Sequence, residues 1–275
     1  MKKALVISAA MLITALIIWG ACSIIPHANS AQLCDLIYQG NTEEAIEKIN
    51  RTKNVNCYTA PLWSRRFYNA VETDIDLPLV AACEMGNYEV VKALLNKGAD
   101  PNMYLESGWS PIEVLFVRNH KNRIDIAKEL IAHGVDVDGY GSHESALFVE
   151  LQRLLHSQNL SEDDLAIITE SISLLIEEGA SLADSRGNSI MHYLAASGDV
   201  VLLERLAVAH ANLINQANTK GETPLMWAAS RNSAEGVAYL LENGAEITLK
   251  NAENKTAYDY AIEQGYTDLA KLIKP

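Results

Sequence analysis

Seven histidines and four cysteines are the side chains of this 275-residue chain best suited to metal or nucleophilic chemistry, and their spacing supports neither. The cysteines stand at 22, 34, 57 and 83 with no C-x-x-C pair, so a tetrahedral zinc site or a dithiol redox centre has no framework. The histidines are scattered, and "HESAL" at His143 begins the helical zinc motif H-E-x-x-H but lacks its second His. Neither a G-x-S-x-G nucleophile turn nor a phosphate-binding G-x-x-x-x-G-K-S/T is present. The expectation is no catalytic residue, no metal and no cofactor. Non-covalent capture is better provided for. In "NCYTAPLWSRRFYNAVETD" the residues Tyr58, Trp63, Arg65, Arg66, Phe67 and Tyr68 lie close together, and Tyr, Trp and Arg are the types most enriched at binding hot spots. The same aromatics have a plainer use, which is to fold back over an apolar edge.

What must position these residues is a recurring element. The block "TPLMWAASRN" at 223 returns as "LPLVAACEMG", "SPIEVLFVRN", "SALFVELQRL", "SIMHYLAASG" and "TAYDYAIEQG". The second positions of the six blocks fall at 78, 111, 146, 190, 224 and 257, giving spacings of 33, 35, 44, 34 and 33. Ser or Thr followed by Pro is a helix start, because the hydroxyl caps the first turn and Pro lacks only an N–H that would have no partner there. After most blocks comes a second amphipathic run ending in Gly, such as "NYEVVKALLNKGADPN". A fixed period near 33 built of helix, turn and helix is the signature of a stacked repeat, whose units are stable only against their neighbours. Small residues (Ala82, Ala195, Ala228, Ala229) are expected where helices approach, and Val90, Val91, Leu94, Leu95, Leu240 and Leu241 in the layer between them.

These motifs closely resemble the ankyrin repeat: a Gly-x-Thr-Pro-Leu-His opening, an Ala-Ala step and an "EVVKLLLxxGADVN" second helix. His192 and Met226 stand at the His position, and Gly98, Gly134, Gly179 and Gly244 at the helix-ending Gly. The resemblance spans residues 31–275 and implies an all-α repeat solenoid with N- and C-terminal caps. Its parts would be a cap at 31–56, the aromatic and basic insertion at 57–73, repeats near 74–103, 104–138, 139–183, 184–216 and 217–249, and a terminal repeat at 250–275. The third repeat carries the long 44-residue spacing, with "ELQRLLHSQN" extending its first helix and Ser161 and Asp164 placed as a capping box for its second. That box sets Glu162, Asp163 and Asp164 on an exposed acidic corner.

The first residues are different. "MKKALVISAAMLITALIIWGACSII" has two Lys and then no charge from Ala4 to Ile25, the pattern of a bacterial export signal at 1–21. Three anchors remain open: lipidation at Cys22, since "WGAC" resembles a lipobox although Trp19 replaces the usual Leu; an uncleaved helix, since 22 uncharged residues can span a bilayer; and ordinary cleavage near "HANSA". In each case the repeats lie outside the cytoplasm, in the periplasm, with residues 22–30 a short tether and the outer membrane the destination of a lipidated chain. An oxidising compartment would allow Cys34 and Cys57 to pair, leaving Cys83 as a buried apolar residue. Formal net charge is −13, or −15 after removal before Cys22, which disfavours nucleic acid and favours a basic protein partner, unless the acid merely keeps the surface solvated.

The family resemblance implies a protein-binding module that works through turn tips and exposed first-helix positions. On this chain those are Glu84 and Met85, Arg118, Ala196 and Ser197, Ser230 and Arg231, and Glu263 and Gln264, with tips around Tyr104–Trp109, Tyr140–Glu144, Ser185–Asn188, Thr219–Glu222 and Glu253–Lys255. Exported, tethered ankyrin proteins resemble immunity proteins that neutralise toxins, notably lipases delivered by type VI secretion. The mechanism would be occlusion by an acidic concave face and the 58–72 loop. The alternative is a periplasmic scaffold or regulator of an endogenous process such as peroxide defence.

Overall fold

The computed structural model describes residues 31–56, 77–139, 144–156, 160–207 and 210–275. Cys22, the insertion residues Tyr58, Trp63, Arg65, Arg66, Phe67 and Tyr68, the expected Cys34 partner Cys57, and residues 140–143 of the expected tip lie outside the described residues. The chain divides into two compact units, Met1–His143 and Glu144–Pro275. In the first unit α1 covers 31–38 and pairs with α2 (Thr42–Arg51); α3 (Pro78–Glu84) pairs with α4 (Tyr88–Asn96), and α5 (Pro111–Arg118) with α6 (Arg123–Ala132). The second unit holds α7 (Ala146–His156) and α8 (Glu162–Glu177), α9 (Ile190–Ser197) and α10 (Val200–Ala207), α11 (Pro224–Ser230) and α12 (Ala234–Glu242), and α13 (Ala257–Glu263) and α14 (Thr267–Leu272). A 3-10 turn, Ala211–Leu213, follows α10, and among the described residues the one β-pairing is an isolated bridge between Ala183 and Ser189.

First helices start because their N-cap and third positions answer each other. The N-cap N–H has no helical partner, and in four repeats it is taken by the side chain three residues on. Ser110 N–H donates to Glu113 Oε2 at 2.8 Å, Ser189 N–H to His192 Nδ1 at 3.0 Å, Thr223 N–H to Met226 Sδ at 3.4 Å, and Thr256 N–H to Asp259 Oδ2 at 2.7 Å. A carboxylate, an imidazole and a thioether do one job. Two second helices are capped across the same three-residue span, Asn87 Oδ1 and Ser233 Oγ accepting from Val90 N–H and Gly236 N–H. The expected cap of the long second helix is present, Ser161 Oγ accepting from Asp164 N–H at 3.1 Å, and Glu162 and Asp163 are exposed beside it.

Within each unit like helices stack on like: α3 on α5, α2 on α4 and α4 on α6; then α7 on α9, α9 on α11, α11 on α13, and α10 on α12. Ala82, Ala195, Ala228 and Ala229 are buried at these approaches, and Val90, Val91, Leu94, Leu95 and Leu240 fill the layer between, whereas Leu241 is only half-buried. Cys34 and Cys83 are both buried, and burial pushes the Cys83 thiol far above its ordinary range, so it is inert. Asparagines clamp one repeat to the next at the turn after the second helix. Asn102 Nδ2 donates to Gly134 O at 2.9 Å while its Oδ1 accepts from Asp136 N–H at 2.7 Å, and Asn56 does the same to Gly98 and Asp100, Asn215 to Gly244 and Glu246.

The tightest approach is α12 on α9. A Cβ at Gly236 would sit 1.9 Å from the Ala195 carbonyl oxygen, and Ser233 Oγ donates to that same oxygen at 2.7 Å. Gly236→Ala therefore sets two effects in opposition. Helix propensity gains about 1 kcal/mol, while overpacking against backbone that cannot rotate away costs about 1–3 kcal/mol, and more at so short a distance. We expect net destabilisation, read as a fall of several degrees in Tm by calorimetry; an unchanged or raised Tm would contradict the close approach.

Candidate functional site

In the first unit the structure brings together three of the expected binding residues. Glu84 ends α3 and Arg118 ends α5, one repeat apart, and they form an ion pair through Glu84 Oε1. Tyr38 donates from its hydroxyl to Glu84 Oε2 at 3.1 Å. Met85 is 41% exposed beside them, and Val117 is 42% exposed. Tyr38 and Val117 fall outside the expected set, yet Tyr38 lies two residues before Gly40 just as Glu84 lies two before Gly86, so the repeat register contains it. An exposed ion pair contributes roughly 0–1 kcal/mol, so this cluster is worth more as a shaped surface of Tyr, Arg and Met than as a source of stability. Tyr104 and Trp109 are both half-buried. Trp109 packs on a cluster of Leu77, Val80, Leu105 and Val114, and its carbonyl accepts from Leu105 N–H at 2.9 Å, closing its tip.

In the second unit Ser230 is half-buried and donates to Trp227 O at 2.8 Å, while Arg231 is exposed with Nη2 3.4 Å from His156 Nε2. Ala196, expected on the exposed rim, is instead buried, because α9 lies between α7 and α11 and has neighbours on both sides. Ser197 is half-buried, and Glu263 and Gln264 are exposed.

Three successive tips carry the most organised polar arrangement. Asp184, Asn218 and Asn251 open them, and each accepts two backbone N–H groups of its own turn: Asp184 Oδ1 from Arg186 and Asn188, Asn218 Oδ1 from Lys220 and Glu222, Asn251 Oδ1 from Glu253 and Lys255. Backbone bonds join tip to tip, Thr219 N–H to Arg186 O at 3.0 Å and Ala252 N–H to Lys220 O at 2.9 Å. The approach is close enough that a Cβ on Gly221 would meet the Ala252 nitrogen at 3.0 Å. Side chains complete the connection. Asn218 Nδ2 donates to Asn188 Oδ1 at 2.8 Å and to Glu222 Oε2 at 2.9 Å, and Asn188 Nδ2 donates to Asp184 Oδ2 at 2.8 Å.

Above this polar row stand aromatics outside the set expected from the sequence. Tyr193, Trp227 and Tyr260 occupy the same place in three repeats, 34 and 33 residues apart, a recurrence that the period itself offers. Their polar ends all reach the carboxylates: Tyr193 Oη–H to Asp184 Oδ2 at 2.9 Å, Trp227 Nε1–H to Glu222 Oε2 at 3.2 Å, and Tyr260 Oη–H to Glu222 Oε1 at 2.7 Å. Phe148, Tyr193 and Trp227 follow one another with ring centroids 5.4 and 5.2 Å apart. Burial alone would raise the Asp184 carboxyl, but hydrogen bonds from Asn188, Tyr193 and Arg186 N–H outweigh it and hold it below the usual carboxylate range. Glu222 is likewise held low, against its burial, by Asn218, Tyr260 and Trp227. Burial and then Glu222 push the Tyr260 hydroxyl up to about 12.

Charge in the second unit is unevenly placed. Its first helices and tips (144–156, 184–198, 218–232 and 251–265) hold seven acidic and five basic residues, whereas the second helices and the turns around them hold twelve acidic and four basic. In this unit most of the acid excess, expected on the binding face, lies instead on the second helices and their turns. On the tip side Arg186 is bound by Glu144 at 3.2 Å and Lys255 by Glu263 at 3.0 Å, which cancels much of what charge there is. Among the described residues no group of three or more His, Cys, Asp or Glu is placed to hold a metal, and no helix is long and apolar enough to cross a membrane.

His192 gives the second unit a pH dependence with a definite sign. Its Nδ1 accepts from Ser189 N–H, so the ring proton is on Nε2, 3.0 Å from Glu222 O. Burial, opposed by the Glu222 carbonyl, keeps its pKa below the ordinary 6.5. A group with a depressed folded pKa contributes stability that is complete above the unfolded value and lost as pH falls through the folded one. Denaturation midpoints are thus expected to fall between pH 7 and 5, and His192→Gln should flatten that slope; parallel profiles for the two proteins would refute the assignment.

A family model for ankyrin repeats matches three stretches, residues 37–148, 165–251 and 191–274, of which the last two overlap. Ankyrin repeat family A protein 2 of Mus musculus is 39% identical over 77 residues, 28% of this chain and 24% of that protein. NAD-capped RNA hydrolase NUDT12 of Homo sapiens is 35% identical over 82 residues, 30% of this chain and 18% of the relative, so the chain spans about a quarter or less of these curated relatives. Among solved structures, the predatory endopeptidase Bd0816 of Bdellovibrio bacteriovorus in complex with immunity protein Bd3460 contains a chain similar at 28% identity and TM-score 0.57, over 71% of this chain and 95% of that one. The ankyrin domain of Bcl-3, at 21% identity and TM-score 0.63 over 87% and 97% of the two chains, shares the fold. With the family model covering well over half of the residues and the helix pairs stacked in its period, this chain belongs to the ankyrin-repeat family.

Proposed function

We propose that this chain is an envelope-tethered inhibitor, an immunity protein that neutralises a hydrolytic toxin in the periplasm by covering its active site. The observation that carries the reading is the likeness to a chain of an endopeptidase–immunity protein complex, matched along 95% of that chain. The apolar, Lys-led first 25 residues add an export signal. A stacked array suits occlusion, because its neighbouring repeats occupy its apolar positions and its tips and first-helix ends are left to grip another protein. It performs no catalysis of its own. Contact would run through the Tyr38, Glu84, Met85, Val117 and Arg118 cluster and through the insertion bearing Trp63, Arg65 and Phe67. The acidic second-helix side would contribute solubility and long-range attraction to a basic partner.

Two measurements test this. Full-length protein used to capture partners from an envelope extract should retain a secreted hydrolase and abolish its activity on binding. The triple change Trp63→Ala, Arg65→Ala and Phe67→Ala should weaken capture at least tenfold with Tm unchanged. A captured protein whose activity is unaffected when bound would sink the inhibitor reading, and unaltered capture would remove the insertion from the contact. For the tether, Cys22→Ser should release the protein from membranes if a lipid holds it; undiminished membrane association would assign the anchor to an uncleaved helix.

A further inference from the structure

The three tips of the second unit are linked by more than stacking. An unbroken run of side-chain hydrogen bonds passes from Tyr193 to Asp184, Asn188, Asn218, Glu222, Tyr260 and Asn251, spanning three repeats. Two carboxylates are its nodes. Asp184 accepts from four groups and Glu222 from three, and both receive an aromatic side chain together with an asparagine amide. Neutral amides fill the space between, and Asn218 uses its whole side chain: two donations from Nδ2, two acceptances by Oδ1. A link so fully engaged cannot shift at one tip without leaving a polar group unpaired at the next, at the cost of roughly one hydrogen bond to a charged acceptor.

We propose that Asp184 and Glu222 make these three tips one cooperative edge that orders and opens as a unit, so that contact at one tip stiffens the other two. Repeat arrays ordinarily couple only nearest neighbours; here the side-chain run carries the coupling one repeat further. A protein touching the 219–222 tip then meets the 185–188 and 253–255 tips already ordered, and the ordering cost is shared among them. The coupling is a property of this unit alone and holds whichever protein binds.

Native-state amide exchange on the full chain tests it at Gly187, Gly221 and Asn254, whose N–H groups close the three turns onto Asp184 O, Asn218 O and Asn251 O, each at 2.9 Å. Glu222→Gln replaces one acceptor oxygen by a donor and should raise exchange at all three amides about tenfold, the scale of one lost hydrogen bond to a charged group, with α10 and α12 amides unchanged. Tyr260→Phe, a milder change at the far end of the run, should raise exchange at Asn254, Gly221 and also Gly187. For Tyr260→Phe, a rise confined to Asn254 and Gly221 would overturn the proposal, and so would unchanged exchange at Gly187 and Asn254 in Glu222→Gln. So would an equal rise throughout α10 and α12, because that pattern is general destabilisation.

Discussion

No helix pair in this chain can bury its own apolar side. Each first helix of seven to eleven residues is too short to be stable in water alone and shows apolar groups to two directions, so it persists only with another first helix against it. That constraint explains why Ala and Gly recur where helices meet, why Gly236 has no room for a methyl group, and why Asn56, Asn102 and Asn215 are spent on joining consecutive turns. It also consumes the apolar residues from which a substrate pocket would be built. What is left for recognition is the strip of residues with only one neighbour: tips and first-helix ends.

The separation of charge in the second unit follows from the same geometry. Tip-side carboxylates are drawn into hydrogen bonds because the tips are crowded and their N–H groups need acceptors, as Asp184 and Glu222 show. On the second-helix side fewer acids are engaged: Asp199 accepts from Leu202 N–H and Asp164 is half-buried against Ser161, while Glu162 and Asp163 are exposed. A partner approaching from a distance would sense the acid of α8 and α12, while the surface with shaped aromatic content is the other one. Attraction and contact are thereby assigned to different sides of one layer.

Much of this is legible in the amino-acid order. The 33-residue recurrence locates every first helix from α3 onward, the Gly–Asn turn after α1 is visible as Gly40 and Asn41, and Ser161 announces the start of the long α8. Period alone places Glu84 and Arg118 on one surface, and the structure makes them partners. The aromatic row of Tyr193, Trp227 and Tyr260 is equally periodic, but a hydrophobicity pattern does not distinguish a buried ring from one whose polar end serves a carboxylate. Ala196 fails in the opposite direction: its place in the pattern is exposed, but a small side chain between two flanking helices has no means of reaching solvent. Charge sidedness is hidden for another reason, since a net value says nothing of which helix of a pair carries it.

At the third position of the first helices, Glu113, His192, Met226 and Asp259 all satisfy the same amide, so what the architecture requires there is a lone pair and not a particular amino acid. Two of those lone pairs sit on carboxylates, one on a ring that takes up a proton in mild acid and one on a sulfur that never does. Exchange among them would keep the first turn capped while changing whether the capping atom can take up a proton, so one architecture can answer acidity differently from repeat to repeat.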